Sequence, residues 1–77
     1  MPYTLHRLAA GSYDLALDGE VVASVVRDIT AEGNVRGWYA ELLNSTPPFP
    51  APFTMPVHHF RTLEAAAAWL GDAEIAD

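Results

Sequence analysis

Three histidines are the side chains of this 77-residue chain that could bind a transition metal, since imidazole nitrogen is a common zinc ligand. His58 and His59 are adjacent, so on a strand their side chains point to opposite faces and cannot share one ion. His6 could meet either of them, but no third ligand is indicated. The chain has no cysteine, which excludes thiolate sites and disulfides. We therefore expect no metal and no other cofactor, and we interpret the histidines as surface or half-buried residues.

Carboxylates and serines could support hydrolysis, but neither type shows a catalytic pattern. Asp14, Asp18 and Glu20 are close in sequence, and paired carboxylates perform acid–base chemistry in glycosidases. Asp18 is explained by a turn, however, and a domain of this size offers little cleft for such a pair. The serines lack the G-x-S-x-G context of a nucleophile, and neither a glycine-rich phosphate loop nor an H-E-x-x-H motif occurs. We expect a protein that is not an enzyme.

Arginines and aromatic residues in the middle of the chain could bind nucleic acid. Arg27 and Arg36 lie side by side if the strands that contain them pair at this point, and Trp38 and Tyr39 follow on the same sheet. Such rings stack on bases, and arginines contact phosphate. The chain nevertheless has ten acidic residues, four arginines and a formal net charge of −6, which opposes phosphate binding. A nucleic-acid-binding accessory module that uses these four residues is therefore our second hypothesis.

The length and composition indicate one small domain that spans residues 1–77. Ordering a chain costs on the order of 1.5 kcal/mol of conformational entropy per residue, and a domain this small buries little apolar area to offset that cost. Burial of further area by self-association would add stability. The acidic balance opposes anionic membrane surfaces, and no apolar stretch approaches the ~20 residues that span a bilayer. The N-terminal residues do not form a signal peptide. We expect a cytoplasmic protein that forms homo-oligomers, such as a homodimer, and does not bind membranes.

A short helix over residues 63–70 has the clearest sequence signals. Thr62 suits the N-cap, Glu64 places negative charge in the first turn, and Gly71 suits the left-handed residue that ends a helix. An apolar stripe at helical spacing consists of Leu63, Ala66, Ala67 and Leu70. Because a helix of about two turns is marginal alone in water, we expect it to pack on a sheet, with residues 71–77 as an acidic tail.

The strands that would form this sheet precede the helix. Residues 12–17 and 20–27 flank Asp18-Gly19, and this dipeptide favours a tight hairpin because both residues can adopt positive φ. A third strand is predicted at about residues 36–43. Residues 3–8 form either a further strand or the first half of a longer one. We expect an α+β domain in which an antiparallel meander of three or four strands packs against one short C-terminal helix.

The predicted pairing gives the sheet two apolar faces. With a two-residue turn, Leu15 faces Val22 and Tyr13 faces Ser24, although a slip of one residue would exchange the faces. One short helix covers only one face, so we predict that the other contacts a protein partner or a second copy. The candidate interaction face consists of Tyr13, Leu15, Leu17, Val22 and Tyr39. Our first hypothesis is thus a non-catalytic protein–protein interaction or self-associating module.

Residues 47–56 are rich in proline, and two interpretations are open. Pro47 to Pro50 has the three-residue period of a ligand for a polyproline-binding groove. Alternatively, the segment is a stiff, extended strap that joins the third strand to the helix, and the side chains of Phe49 and Phe53 pack in the core. We favour the strap, because such ligands normally lie in polar, disordered tails.

The order of elements resembles small domains that contain a three-stranded sheet and a helix, such as the arm-type domains at the N-terminus of phage integrases and the plant AP2 DNA-binding domain. The resemblance rests on the hairpin at residues 13–19, the strand with Trp38 and residues 60–70. The resemblance implies the fold and a sheet that binds DNA through basic and aromatic residues. This chain differs from those families because it has only four arginines and a net negative charge.

The sequence also resembles small uncharacterised proteobacterial proteins. The likeness rests on a G-W-x-A-x-L strand at residues 37–42 and an F-x-T-L-x-x-A-x-x-W-L-G segment at residues 60–71. It spans most of the chain and implies no known activity.

Overall fold

The computed structural model describes residues 3–76, which form a six-stranded mixed sheet and one short helix. The elements are β1 (Tyr3–Ala9), β2 (Ser12–Leu17), β3 (Glu20–Ile29), β4 (Val35–Leu42), β5 (Val57–Phe60), α1 (Leu63–Trp69) and β6 (Glu74–Ala76). The strand order in space is β5-β4-β3-β2-β1-β6, and only β1 and β6 pair in parallel. The α+β class is therefore confirmed. The predicted sheet of three or four antiparallel strands is too small and lacks the parallel edge.

The hairpin between β2 and β3 has the predicted two-residue turn. Leu17 pairs with Glu20, and the turn residues adopt positive φ, 52° at Asp18 and 86° at Gly19. Aspartate tolerates this left-handed conformation and glycine adopts it without a steric penalty, so local chemistry fixes the turn. On the other side of β2, a turn at residues 10–11 separates β1 from β2, and β1 is thus a strand of its own.

A β-bulge near the start of β3 overturns the predicted faces of the sheet. Leu15 pairs with Ala23 instead of Val22, while Ala16 pairs with Val21, so Val22 is the extra residue. One extra residue displaces every later pair by one and exchanges the side chains between the faces. The buried side chains Tyr13, Leu15, Ala23 and Val25 consequently share one face, whereas Val26 lies on the other, beside Tyr39. The second face is therefore mixed in composition, and the prediction of two largely apolar faces is wrong.

The core lies between this face, the helix and the proline-rich strap. It consists of Tyr3, Leu5, Tyr13, Leu15, Ala23, Val25, Ala40, Leu42, Phe53, Leu63, Ala67 and Leu70. The opposite face of the sheet, which we call the open face, carries a row of polar residues in register across four strands: His6, Asp14, Ser24 and Glu41. A face of this kind is stable in water without a cover.

Both ends of the helix have the features that the sequence predicts. The Thr62 hydroxyl accepts a hydrogen bond from the backbone N–H of Ala65 at 3.0 Å, and Gly71 has a φ of 79°. The residues after the helix differ from the predicted acidic tail, because β6 adds to the edge of the sheet beside β1. A strand of three residues carries too little pattern to be recognised without its partner.

The strap, residues 47–56, connects β4 to β5 along the core. Phe53 is buried and Phe49 packs against the same cluster. The phenol of Tyr3 donates to the carbonyl of Ala51 at 2.7 Å, and burial raises the pKa of Tyr3. The segment is not extended throughout, because the N–H of Phe53 donates to the carbonyl of Pro50 at 2.9 Å and closes a turn.

Candidate functional site

The predicted interaction face does not form one surface. Tyr13 and Leu15 are buried in the core. Leu17 and Val22 are half-buried and pack against the edge of this core. Tyr39 lies on the open face. It pairs with Val26, whose neighbour Val25 faces the core. The bulge separates these residues, because it moves β3 by one position relative to β2.

An open groove of about 560 Å³ lies where β2 turns into β3 and where β4 ends. It is lined by residues 20–22, 42–44, 46 and 48–50, so one wall belongs to the sheet and the other to the start of the strap. Only Val22 among these residues belonged to the predicted face. The groove unites residues 20–22 with residues 42–50, which are distant in sequence, and no local pattern indicates it.

Exposed apolar side chains flank this groove. Leu43 is 65% exposed and Val21 is 42% exposed. The N–H of Leu43 donates to the carbonyl of Val22 at 3.0 Å, which fixes Leu43 beside the bulge immediately after β4. Phe49 also lines the groove and packs against the core behind it. Apolar side chains around a concave surface are typical of protein–protein contact sites.

The groove is acidic. Among residues 3–76, the lining of the groove contains one charged side chain, Glu20, and no arginine. Asp18 is exposed on the adjacent turn. A partner that inserts an apolar side chain here would therefore meet negative charge at the rim.

All four arginines lie toward the other end of the sheet, which we call the arginine end. Arg7 precedes the turn between β1 and β2, and the N–H of Arg27 donates to the carbonyl of Gly11 in that turn at 2.9 Å. Arg36 lies near the start of β4. Arg61 directly follows β5. The last residue of β5, Phe60, lies beside Gly37, and its carbonyl occupies the space that a side chain at position 37 would fill. Two of these residues, Arg7 and Arg61, were not predicted as site residues.

The predicted pairing of Arg27 with Arg36 is wrong. Arg27 pairs with Trp38, and a second bulge after Asp28 leaves Arg36 outside the register. Arg36 instead forms an exposed bidentate ion pair with Asp28, with an Nη2–Oδ2 distance of 3.0 Å. Trp38 faces the core side and its ring lies 5.9 Å from that of Tyr13, whereas Tyr39 faces away. The four predicted nucleic-acid contacts thus do not share one face.

Arg27 has an unusual environment within this end. Its Nε is buried and has no hydrogen-bond partner among residues 3–76, and the guanidinium lies against the Cα of Gly11. A side chain at position 11 would collide with it, so glycine is required there for close approach as well as for its positive φ of 77°.

The histidines are separated in space. His58 Nε2 accepts hydrogen bonds from the backbone N–H groups of Thr54 and Met55 at 3.1 and 3.2 Å, and its ring lies 4.7 Å from that of Trp69. His59 lies on the open face, with its ring 5.9 Å from that of Tyr39. Within the described residues, no group of three side chains is placed to hold a metal ion. His58 instead fastens the strap to β5.

Comparisons with known proteins add no further constraint. No family model, curated protein or solved structure matches the chain. No helix in the part of the chain that the structure describes is long and apolar enough to cross a membrane. The resemblances noted in the sequence stay predictions, and the groove and the arginine end are the surfaces from which function can be inferred.

Proposed function

We propose that this protein is a non-catalytic protein-interaction module whose docking surface is the groove between the strap and the ends of β3 and β4. The observation that carries this proposal is the exposure of Leu43 and Val21, neighbours on the sheet wall of the groove. Full burial of a side chain of this size stabilises by ~1.5–3 kcal/mol relative to its exposed state. Two such side chains, with the lining between them, provide a small anchor site for an apolar residue of a partner.

The walls of the groove are held in place before any partner binds. The hydrogen bond from Leu43 to Val22 fixes the sheet wall, and the packing of Phe49 on the core fixes the strap wall. A pre-organised surface loses little conformational entropy on binding, so more of the burial free energy contributes to affinity.

Site-specific photo-crosslinking tests this docking surface. A photoreactive phenylalanine analogue at position 43, introduced in the cell of origin, should give crosslinks to protein. The matched control places the same residue at position 6, where His6 is exposed in the centre of the open face. Equal or absent crosslinking at the two positions would contradict the proposal, since an apolar docking surface must favour position 43.

A second candidate function, nucleic-acid binding, is favoured by the location of all four arginines toward one end of the sheet beside the half-buried Trp38. The net charge of −6 weighs against it. We expect no salt-dependent binding to duplex DNA or single-stranded RNA at about 50 mM salt, where weak phosphate contacts are measurable. Micromolar binding that weakens with salt and disappears in Arg7→Ala/Arg27→Ala would favour this candidate over the first.

A further inference from the structure

We infer that the occupant of the groove is the arginine end of a second copy of this chain, so that the protein associates head to tail. The inference depends on the proposed function of the groove as a docking surface, and it specifies the partner. It rests on the complementarity of two surfaces at opposite ends of one sheet.

The first surface is apolar with an acidic rim. Leu43 and Val21 are exposed at the groove, and Glu20 is the one charged residue among the described lining residues. Asp18 adds a second exposed carboxylate on the neighbouring turn. The surface therefore favours a partner that presents an apolar side chain next to a cation.

The second surface has that composition. Leu8 and Val35 are 64% and 53% exposed at the arginine end, and Val35 pairs across the strands with Ile29, which is also exposed. Arg7 precedes Leu8, and Arg36 follows Val35. The carboxylates Asp28, Glu32 and Glu64 lie toward this end as well. Asp28 and Arg36 neutralise each other, so the cation beside an exposed apolar side chain is Arg7, next to Leu8. Apolar side chains with adjacent guanidinium groups are what the groove would recognise.

The two surfaces cannot meet within one molecule. Glu20 begins β3 at the groove and Ile29 ends it at the arginine end. Ten residues at about 3.3 Å per residue separate the surfaces by about 30 Å of rigid sheet. A contact between these two surfaces therefore requires two copies of the chain.

Charge also selects the mode of association. A symmetric dimer that places groove on groove would bring the two Glu20 carboxylates together, which like-charge repulsion disfavours. A head-to-tail contact instead brings Glu20 toward arginines. Such a heterologous contact uses a different surface on each copy, so it continues into a ring or an open chain of copies.

Half-blocked variants test this arrangement in sedimentation velocity experiments on the full chain. Leu43→Glu blocks the groove and leaves the arginine end intact, and Val35→Glu does the reverse; both positions are exposed, so folding should be retained. The unmodified protein should form species that grow with concentration and shrink with added salt. Each variant alone should be monomeric. An equimolar mixture should form a dimer and nothing larger, because each copy retains one functional surface.

A charge exchange checks the result without apolar substitution. Glu20→Arg and Arg7→Glu should each weaken association, and their mixture should restore it about tenfold relative to either alone, as expected for one close interfacial charge pair. Asp14→Asn, at the centre of the open face and on neither surface, should associate like the unmodified protein. Circular dichroism and thermal melts of every variant show that it is folded.

Three outcomes would overturn the inference: a monomeric unmodified protein at millimolar concentration, an unmodified protein that stops at a dimer, or mixtures that stay monomeric. Crosslinks from position 43 to a different protein, with monomeric mixtures, would reject self-association and leave the docking function standing. Absence of any specific crosslink at position 43 would instead reject the docking function itself.

Discussion

The two faces of the sheet are made by the same strands, yet only one of them contributes to the core. The covered face carries Leu5, Leu15 and Val25 beneath the helix and the strap, whereas the open face carries the row from His6 to Glu41. The bulge at Val22 keeps the two sets apart, because without it the alternation of β3 would be out of phase with that of β2. The bulge that accommodates Val22 as an extra residue thus determines which face of the sheet packs in the core.

Deletions in β3 give the largest effect expected from this comparison. Removing Val26 should place Arg27 and the residues after it on the wrong face relative to β4, and it should cost more than about 4 kcal/mol or abolish folding. Removing Val22 should leave every pair from Ala23 onward intact, because Val22 is the extra residue of the bulge. Its deletion should therefore cost only about 1–3 kcal/mol of packing. Urea unfolding of the two variants measures the difference, and equal losses would show that the bulge does not set the faces.

Truncation on the covered face should have the next largest effect. Leu70 is buried where the helix ends against the core, so Leu70→Ala should lower the free energy of unfolding by about 2–5 kcal/mol. Glu74→Ala, at an exposed position on the edge strand β6, should change it by no more than about 0.5 kcal/mol. Thermal melts of the two variants decide the matter. A melting point of Leu70→Ala equal to that of the parent would mean that the helix does not close the core.

The adjacent histidines of β5 allow the two faces of the sheet to be compared at nearly the same point along one strand. His58→Phe keeps an aromatic ring beside Trp69 but removes the acceptor for two backbone N–H groups of the strap. At about 0.5–1.5 kcal/mol for each hydrogen bond, with water partly replacing the acceptor at these exposed residues, the loss should be about 1–2 kcal/mol.

The control for this variant is His59→Phe on the open face, where the side chain is exposed and accepts no hydrogen bond from the strap. Its effect on the free energy of unfolding should stay within about 0.5 kcal/mol. Hydrogen exchange at Thr54 and Met55 provides the local measurement, and it should be faster only in His58→Phe. Unchanged protection there would show that His58 does not fasten the strap.

Features that depend on neighbouring residues in the sequence could be predicted, and they are confirmed. The hairpin turn follows from Asp18-Gly19, and the helix follows from Thr62 at its start and Gly71 at its end. Each depends on a few dihedral angles or one hydrogen bond formed within a few residues. The third predicted strand is also confirmed, with a shift of one residue.

Features that depend on distant partners could not be predicted. The run from Glu20 to Ser24 contains no glycine or proline that would mark the bulge, and β5 and β6 become strands only beside β4 and β1. The groove is lined by two separate segments, and the arginine end combines residues from positions 7 to 61. Both candidate surfaces are products of the pairing of strands, which explains why the predicted site residues were dispersed.

Substitutions at the centre of the open face should have the smallest effect, and its sign tests the assignment of faces. Ser24 lies directly between Asp14 on β2 and Glu41 on β4. Ser24→Lys would place a cation between two carboxylates and should stabilise the protein by about 0.2–1 kcal/mol, since opposite charges in register on adjacent strands attract. Ser24→Glu would add a third carboxylate to the row and should destabilise it by a similar amount. Because these side chains are in contact with water, both effects should shrink as salt is raised toward 1 M. Urea unfolding at low and high salt separates this outcome from a buried position 24, where lysine and glutamate would both be strongly destabilising whatever the salt concentration.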